Sequence, residues 1–327
     1  MHKRILSVIL ALALAIAAGC GGDDDDSGQS GGQEQGKTAT VKVATIPTAA
    51  AGPLFVGIDQ GFFKQEGLQV KTQFAEGGAA IIPAVQSGEV QFGFGNTVSL
   101  FIARERGLQL PLVAAGQVAP TDEDKDETAV MVPAKSRIRS IEDLAGTTIG
   151  VNTLRNVSEL SISAGMDNAG VDSKTVKYTE VPFPEALPTI GSGDVDAAFF
   201  GEPFTTLGEQ AHARVIFRPF SAGVPGGQIG AYFASESYVD DNGDIAERFA
   251  RAVERSNRYV IDHPDAVRDE VPKFTQVPGD IAEKMRLPVF VPTIDPGALQ
   301  KLAALSQKYG LTKKRVDTAE MLFDAGK

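Results

Sequence analysis

One phrase occurs twice in this 327-residue chain, and the repetition constrains the fold more than any other feature. SGEVQFGFGN begins at Ser87, and SGDVDAAFFGEP begins 105 residues later at Ser192. A proline precedes each phrase by four residues, and Phe94 of the first phrase aligns with Phe199 of the second. Each phrase follows a helix-like stretch and enters a short apolar run, which is typical of a buried strand. The repetition indicates that a structural unit is duplicated.

The same order of strand, helix and strand precedes both phrases. The predicted segments are residues 41–46, 54–67 and 70–74 in the first half and residues 148–151, 158–170 and 176–181 in the second. Strands that alternate with helices pair in parallel. A period of about a hundred residues is too long for a solenoid repeat. We therefore predict an α/β fold with two similar lobes, whose strand ends face each other across a cleft.

Beyond Gly230 the pattern changes to helices. One helix is predicted to begin near Asp244 and Glu247, whose spacing is that of a capping box, and to end before Pro264. A second is predicted to begin near Pro296. Their apolar faces contain Phe249, Val253 and Val260 in the first helix and Leu299, Leu302, Leu305 and Tyr309 in the second. We expect both helices to pack on the first lobe.

The first twenty residues have the pattern of an export signal. Lys3 and Arg4 precede an apolar run over residues 5–18, and small residues lead to Cys20, the single cysteine. The site resembles a bacterial lipobox, in which the cysteine is acylated, although Ala17 stands where leucine is favoured. The alternative is a plain signal peptide that ends near a cysteine. Residues 21–37, with no apolar side chain, are predicted to be a disordered tether.

The charge balance and the histidines exclude several classes of function. With 31 basic and 42 acidic residues the net charge is −11, so the basic footprint of a nucleic-acid-binding protein is missing. His212 and His263 lie near predicted helix ends, and their separation does not fit a zinc site. We predict no catalytic residue, no metal and no cofactor.

One glycine-rich stretch and one acidic stretch resemble ligand-binding motifs only in part. GFGNTV at residues 93–98 has Val98 in place of the third glycine of a dinucleotide motif. DEDKDE at residues 122–127 alternates carboxylates as a calcium loop does, but Glu127 stands where glycine is needed. We predict that this acidic stretch is a solvated loop.

Four stretches together resemble a known family. They are GIDQGFFKQEGLQV at residues 57–70, VQSGEVQFGFGN ending at Asn96, SIEDLAGTTIGV at residues 140–151, and SGDVDAAFFGEP. The chain resembles the substrate-binding proteins of ABC importers, in the group that handles nitrate, sulfonates, taurine and thiamine precursors. The resemblance implies the type II periplasmic-binding-protein fold, in which two crossing strands join the lobes. The crossings are expected near residues 117–132 and 227–234.

The resemblance also implies a domain organisation and a set of partners. The segments are a leader at residues 1–20 with a lipidated Cys20, a tether at 21–37, the first part of lobe one at 38–118, lobe two at 119–234, and the helical remainder of lobe one at 235–327. The expected partners are a small solute, the permease and ATPase subunits, and the membrane through the lipid anchor. A monomer outside the cytoplasm is expected.

The candidate site residues lie in loops at predicted strand ends. Helix N-termini there offer free N–H groups that favour anions. The small candidates, each of which could instead simply cap or border a helix, are Thr48, Ala49, Gly78, Asn96, Thr97, Asn152, Thr153, Asn156 and Ser158.

Two charged candidates stand beside them. Arg155 has a planar guanidinium group that suits a carboxylate or sulfonate, although it could be a solvated surface arginine. Glu202 corresponds to a carboxylate that often faces the cleft in the family, where it could accept hydrogen bonds from an amine or an aminopyrimidine. The alternative for Glu202 is a turn residue before Pro203.

These features predict a lipid-anchored solute receptor of an ABC importer, with an anionic solute such as a sulfonate or carboxylate. A receptor for a thiamine-type pyrimidine precursor is the first alternative. An enzyme on the same fold would need a reactive cysteine or histidine in the cleft. A surface lipoprotein without a small ligand is a further alternative.

Overall fold

Two five-stranded sheets organise residues 38–324, the residues that the computed structural model describes. The predicted leader, Cys20 and the tether lie outside the described residues. The strands are β1 (Ala39–Thr45), β2 (Leu68–Phe74), β3 (Phe92–Asn96), β4 (Leu112–Ala115), β5 (Gln117–Val118), β6 (Ala129–Val132), β7 (Thr148–Val151), β8 (Lys177–Glu180), β9 (Ala197–Phe200), β10 (Arg214–Phe217), β11 (Gly230–Phe233) and β12 (Val289–Phe290).

Helices connect the strands and cover the sheets. They are α1 (Gly52–Asp59), α2 (Phe62–Gln65), α3 (Gly78–Gln86), α4 (Thr97–Glu105), α5 (Val157–Asn168), α6 (Phe183–Ser192), α7 (Phe204–Gln210), α8 (Pro219–Gly223), α9 (Glu236–Asp241), α10 (Gly243–Asp262), α11 (Asp265–Thr275), α12 (Gly279–Ala282) and α13 (Pro296–Lys308). Short 3-10 turns occur at Ala49–Ala51, Glu123–Lys125, Ile141–Leu144, Ser173–Thr175 and Ala319–Met321. Within residues 38–324, none of these helices combines the length and the apolar character that a membrane crossing requires.

The two sheets have the same core of three parallel strands. In the first sheet, ordered β2-β1-β3-β11-β4, β1 pairs in parallel with β2 and β3, and β11 is antiparallel to both of its neighbours. In the second, ordered β10-β6-β9-β7-β8, β7 pairs in parallel with β8 and β9, and β6 is antiparallel to both of its neighbours. The predicted fold class, two similar and mainly parallel α/β units, is confirmed.

The repeated phrase ends a helix and begins the third parallel strand in both sheets. Gly88 and Gly193 follow α3 and α6 with φ of 74° and 84°, in the left-handed region that glycine enters at little cost. Val90 and Val195 come next and are buried. The duplicated sequence therefore preserves the same turn and the same buried strand entry.

Two local predictions were wrong. The single helix expected over residues 54–67 is divided into α1 and α2, because Gly61 adopts a left-handed conformation with φ of 72°. The capping box was also wrong, since α10 begins at Gly243 without a side-chain cap. Asp244 instead accepts a hydrogen bond from Arg248 at 2.9 Å.

The chain passes between the sheets twice, from β5 to β6 and from β10 to β11. The long helix α10 then packs on the first sheet, where the rings of Phe92 and Phe249 stack at 3.9 Å between centroids. Leu299 and Leu302 of α13 are buried in the core that includes α4. The C-terminal helices thus cover the first sheet and leave the strand ends of both sheets facing each other.

Candidate functional site

A cavity lies where the two sheets face each other. The carboxyl ends of β1, β3, β7 and β9 meet at its wall, as is usual for ligand sites in open parallel sheets. The first sheet and the C-terminal segment contribute Ile46, Thr48, Ala50, Phe94, Gly95, Asn96, Gln117, Ile229, Gly230 and Pro288. The second sheet and its loops contribute Glu127, Thr128, Asn152, Asn156, Val157, Ser158, Phe183, Phe199, Gly201, Glu202 and Phe220.

Aromatic side chains form much of the apolar wall. Phe94, Phe183, Phe199 and Phe220 border the cavity and are buried. The ring of Phe199 lies 6.2 Å from that of Phe183 and 5.7 Å from that of Phe220, with tilted planes. Such a wall suits a flat, apolar body, and the few polar groups around it set the orientation of a ligand.

Six of the predicted site residues border the cavity: Thr48, Asn96, Asn152, Asn156, Ser158 and Glu202. Two of the three asparagines also have the capping role that was the alternative. Asn96 accepts the N–H of Ser99 at 2.9 Å at the start of α4. Asn156 accepts the N–H of Ser158 at 2.9 Å at the start of α5. These caps already occupy helix N–H groups that were expected to bind an anion.

Asn152 connects the two sides of the cavity. Its Oδ1 accepts a hydrogen bond from Asn156 Nδ2 at 3.0 Å, and its Nδ2 donates to the carbonyl of Glu76 at 2.9 Å. Glu76 follows β2 of the first sheet, whereas Asn152 follows β7 of the second. The contact holds the two strand-end loops together.

The other predicted residues lie beside the cavity rather than on its wall. Thr97 Oγ1 donates to the carbonyl of Gln228 at 2.6 Å, and Thr153 Oγ1 accepts from Asn156 at 2.9 Å. Ala49 donates its N–H to the carbonyl of Glu202 at 2.8 Å. Gly78 begins α3. These residues support the loops that carry the lining side chains.

Arg155 is not among the residues that line the cavity. Its guanidinium Nη2 donates to the carbonyl of Leu311 at 2.7 Å, in a surface depression that also contains Arg106 and Lys314. Its backbone has φ of 54°, and its side chain is exposed. Arg155 therefore connects the second lobe to the C-terminal segment.

Glu202 lies in the loop directly after β9 and is only 1% exposed. Its carboxylate accepts hydrogen bonds from Thr206 N at 3.0 Å, from Thr206 Oγ1 at 2.9 Å and from the backbone N–H of Arg286 at 3.1 Å. Burial raises the pKa of Glu202 to about 7, although these hydrogen bonds favour the ionised form. Glu202 is therefore a cavity carboxyl that titrates near neutrality.

Glu127 is a second cavity carboxyl, and it was not among the predicted site residues. Its side chain is 3% exposed, and neither carboxyl oxygen has a hydrogen-bond partner from another described residue. Burial raises its pKa well above the usual value, and the charges of Asp126 and Glu202 act in the same direction. Sequence reasoning missed it because it belongs to the acidic stretch predicted to be a solvated loop.

That loop prediction was wrong from Asp126 onward. Asp126 is fully buried, with Oδ1 bonded to the N–H of Thr128 at 2.9 Å and Oδ2 to the N–H of Ser221 at 2.7 Å. The signal that could have revealed this was the position of the stretch directly before the apolar strand β6. Charged residues beside a buried strand at a lobe crossing are candidates for the site rather than for solvent.

Glu127 and Glu202 are the only ionisable side chains among the described residues that line the cavity. His212 and His263 are exposed and do not border it. Over residues 38–324, no group of histidine, cysteine and acidic side chains is arranged to hold a metal ion. The wall is thus aromatic and acidic, with amide and hydroxyl groups at the loops.

Comparison with known proteins gives a consistent set of similarities. The profile of the family described as "NMT1/THI5 like" matches residues 49–267. The chain is 27% identical over 232 residues to the formylaminopyrimidine-binding protein of Halalkalibacterium halodurans, covering 70% of this chain and 68% of that protein. It is 24% identical over 302 residues to the taurine-binding periplasmic protein of Escherichia coli, covering 90% and 89%.

Solved structures with the same fold include binding proteins and an enzyme. The alkanesulfonate-binding protein SsuA from Xanthomonas axonopodis pv. citri, bound to MOPS, matches with a TM-score of 0.71 at 17% identity, over 88% of this chain and 99% of that chain. The desulfurization enzyme DSZB matches with a TM-score of 0.63 at 15% identity, over 86% and 96%. These likenesses establish the periplasmic-binding-protein fold.

Proposed function

The chain belongs to the NMT1/THI5-like family, and we propose that it is the solute-binding component of an ABC importer, which captures a small solute between its two lobes. The observation that carries the proposal is the cavity at the facing strand ends, with aromatic walls and a few polar groups. Relatives named as binding proteins for formylaminopyrimidine and taurine support it. The permease and ATPase partners follow from the same proposal.

The solute is a nitrogen heterocycle of the aminopyrimidine type. The aromatic wall suits a flat ring, and the two ionisable lining side chains are both carboxyl groups. A sulfonate would need positive charge or free N–H donors. The nearest helix N-termini, however, are already capped by Asn96 and Asn156, and Arg155 does not line the cavity. These contacts favour the pyrimidine alternative over the anionic solute expected from the sequence.

Ligand-induced thermal stabilisation tests this proposal. The chain contains no tryptophan, so a dye-based or calorimetric melt is preferable to intrinsic fluorescence. A solute that binds only the folded state, present at a hundred times its dissociation constant, stabilises the folded protein by roughly 2.7 kcal/mol. Formylaminopyrimidine should raise the melting temperature, and taurine should not. Native mass spectrometry of the purified protein should also reveal a co-purified small molecule.

Two outcomes would contradict this function. A larger shift with taurine than with formylaminopyrimidine would reject the heterocycle as the solute class. If neither compound shifts the melt and a broad panel of small solutes also fails, the receptor function itself is rejected. Turnover of any bound solute would instead favour an enzyme, a class that DSZB represents on the same fold.

Export and lipidation belong to the same proposal, although Cys20 lies outside the described residues. An acylated Cys20 would hold a monomeric receptor at the outer face of the membrane, and residues 21–37 would act as the tether before the two lobes. Replacing Cys20 with serine should release the protein from membranes. A Cys20→Ser variant that remains with the membrane after a high-salt wash would contradict the anchor.

A further inference from the structure

Glu127 lines the cavity, and neither oxygen of its buried carboxyl group has a hydrogen-bond partner from another described residue. Buried polar groups in folded proteins almost always have hydrogen-bond partners, and leaving one without a partner is costly. Gln117, which also lines the cavity, has a buried and unpartnered Oε1. A solute in the cavity can supply these missing partners.

The charged groups around Glu127 are engaged elsewhere. Arg218, the nearby cation, donates from Nη1 to the carbonyls of Asp126 and Thr128 at 2.8 and 3.0 Å, and from Nη2 to Glu209 at 2.8 Å. Asp126 accepts hydrogen bonds from Thr128 and Ser221. This arrangement fixes the backbone on both sides of Glu127 and leaves its carboxyl group without a partner from another described residue.

We propose that Glu127 is a specificity-determining residue of this cavity, and that its carboxyl group pairs side by side with an amidine edge of the solute. An amidine edge is an amino group and a ring nitrogen attached to the same carbon. One carboxyl oxygen accepts from the amino group, and the other forms the hydrogen bond to the ring nitrogen. The inference rests on the proposed function, because it assigns one group of the same solute site.

The protonation of Glu127 agrees with such a pair. Burial and the neighbouring carboxyl groups raise its pKa, so the neutral acid is favoured, and a neutral carboxyl group carries one donor and one acceptor. An amidine edge has the complementary acceptor and donor. A sulfonate has only acceptors and would leave one carboxyl oxygen unpaired. An ammonium group would require the ionised form that the buried site disfavours.

Isothermal titration with two small pyrimidines tests the pairing. The probes are 4-amino-2-methylpyrimidine, which has the amidine edge, and 2,4-dimethylpyrimidine, which has a methyl group in place of the amine. The wild-type protein should bind the amino compound about 30-fold more tightly, because loss of the amine leaves buried groups unpaired. Glu127→Met should remove this preference. Glu127→Gln, whose amide also places a donor group beside an acceptor, should keep the preference for the amino compound to within about fivefold of the wild-type value.

Controls separate recognition from folding. Glu89→Met, at an exposed position outside the cavity, should behave like the wild type. Glu127→Met should not lower the melting temperature of the empty protein, because it removes an unpaired buried carboxyl group, whereas a structural role would lower it.

Three results would overturn the pairing. The first is a wild-type protein that does not prefer the amino compound. The second is a Glu127→Met variant that keeps this preference. The third is a Glu127→Gln variant that loses as much of the preference as Glu127→Met does. A solute found by native mass spectrometry would leave the proposed function standing in each case.

Discussion

At the scale of single residues, the two cavity carboxyl groups make the stability of the empty protein depend on pH. An unfolded glutamate loses its proton near pH 4.5, whereas folded Glu202 loses it near pH 7. Between these values the folded protein binds more protons than the unfolded chain, so the free energy of unfolding falls as the pH rises. Glu127 acts in the same direction. Desolvation of both carboxylates is the physical cause.

We predict that Glu202→Gln flattens this dependence. Because the amide does not titrate, the variant should lack up to about 3 kcal/mol of the stability change that the wild-type protein undergoes between pH 4.5 and 7. Chemical denaturation of the ligand-free proteins at several pH values measures the slope. Glu89→Gln, at an exposed position, is the control and should keep the wild-type slope. Parallel slopes for wild type and Glu202→Gln would show that Glu202 has an ordinary pKa in the folded protein.

The residues of the site were predictable only where sequence and chain topology agree. Asn96 and Asn156 follow parallel strands, so their place at the cavity edge follows from the strand order. Arg155 lies in the same loop as Asn156, yet its guanidinium group donates to the carbonyl of Leu311 and does not line the cavity. Glu127 was missed because its burial depends on how β6 crosses into the second sheet, which a local acidic pattern does not indicate.

At the scale of elements, the repeated glycines have a conformational role that can be measured. Gly88 and Gly193 have positive φ, and a Cβ atom at either position would meet no heavy atom within 4 Å. Gly88→Ala and Gly193→Ala should therefore each lower the free energy of unfolding of the protein by about 1 kcal/mol, through backbone strain alone. The expected costs are similar because the turn is the same in both lobes.

Gly191→Ala is the matched control. Gly191 lies inside α6, has open space around its Cα and has no positive φ, so alanine should stabilise the helix by roughly 0.5 to 1 kcal/mol. Urea denaturation of the three variants measures whether each substitution raises or lowers the free energy of unfolding. A neutral or stabilising effect at Gly88 or Gly193 would contradict the shared turn.

The elements themselves were largely predictable because their patterns are local. The strand predicted at residues 148–151 is β7, and the helix predicted near Pro296 is α13. The errors have local causes that compete with periodicity. Gly61 interrupts a continuous apolar pattern between α1 and α2, and Asp244 pairs with Arg248 instead of capping α10. The parallel pairing in both halves followed from the repeated strand-helix-strand order rather than from any single segment, whereas the order of the strands within each sheet was not predicted.

At the scale of the whole molecule, direct contacts hold the lobes closed around the cavity. Asn152 donates to the carbonyl of Glu76, Arg155 to that of Leu311, and the N–H of Ala49 to the carbonyl of Glu202. Each bond joins the second lobe to the first lobe or its C-terminal segment. Because binding proteins of this kind close by a hinge, these contacts are expected to form when the solute binds and to break when it leaves.

Gly77 lies at a close contact between the two lobes, so a substitution there can test the closing motion. A Cβ atom there would lie 2.9 Å from Thr153 Cγ2 and 3.0 Å from Asn152 Nδ2, both across the cleft. Its φ of 169° is extended, so alanine is compatible with the fold of the first lobe itself. Gly77→Ala should therefore leave the empty protein stable and oppose only the closed arrangement.

Small-angle scattering with and without solute measures the closure. The wild-type radius of gyration should fall when formylaminopyrimidine binds, and the fall should be smaller in Gly77→Ala. Overpacking at a close contact costs about 1 to 3 kcal/mol, so the affinity of the variant should drop by roughly 5- to 150-fold. Gly191→Ala, which faces open space away from the cleft contacts, should close and bind as the wild type does. If Gly77→Ala reaches the same radius and affinity as the wild type, the contacts around Asn152 do not belong to a closing step, and the cavity is a rigid pocket that the solute enters without lobe movement.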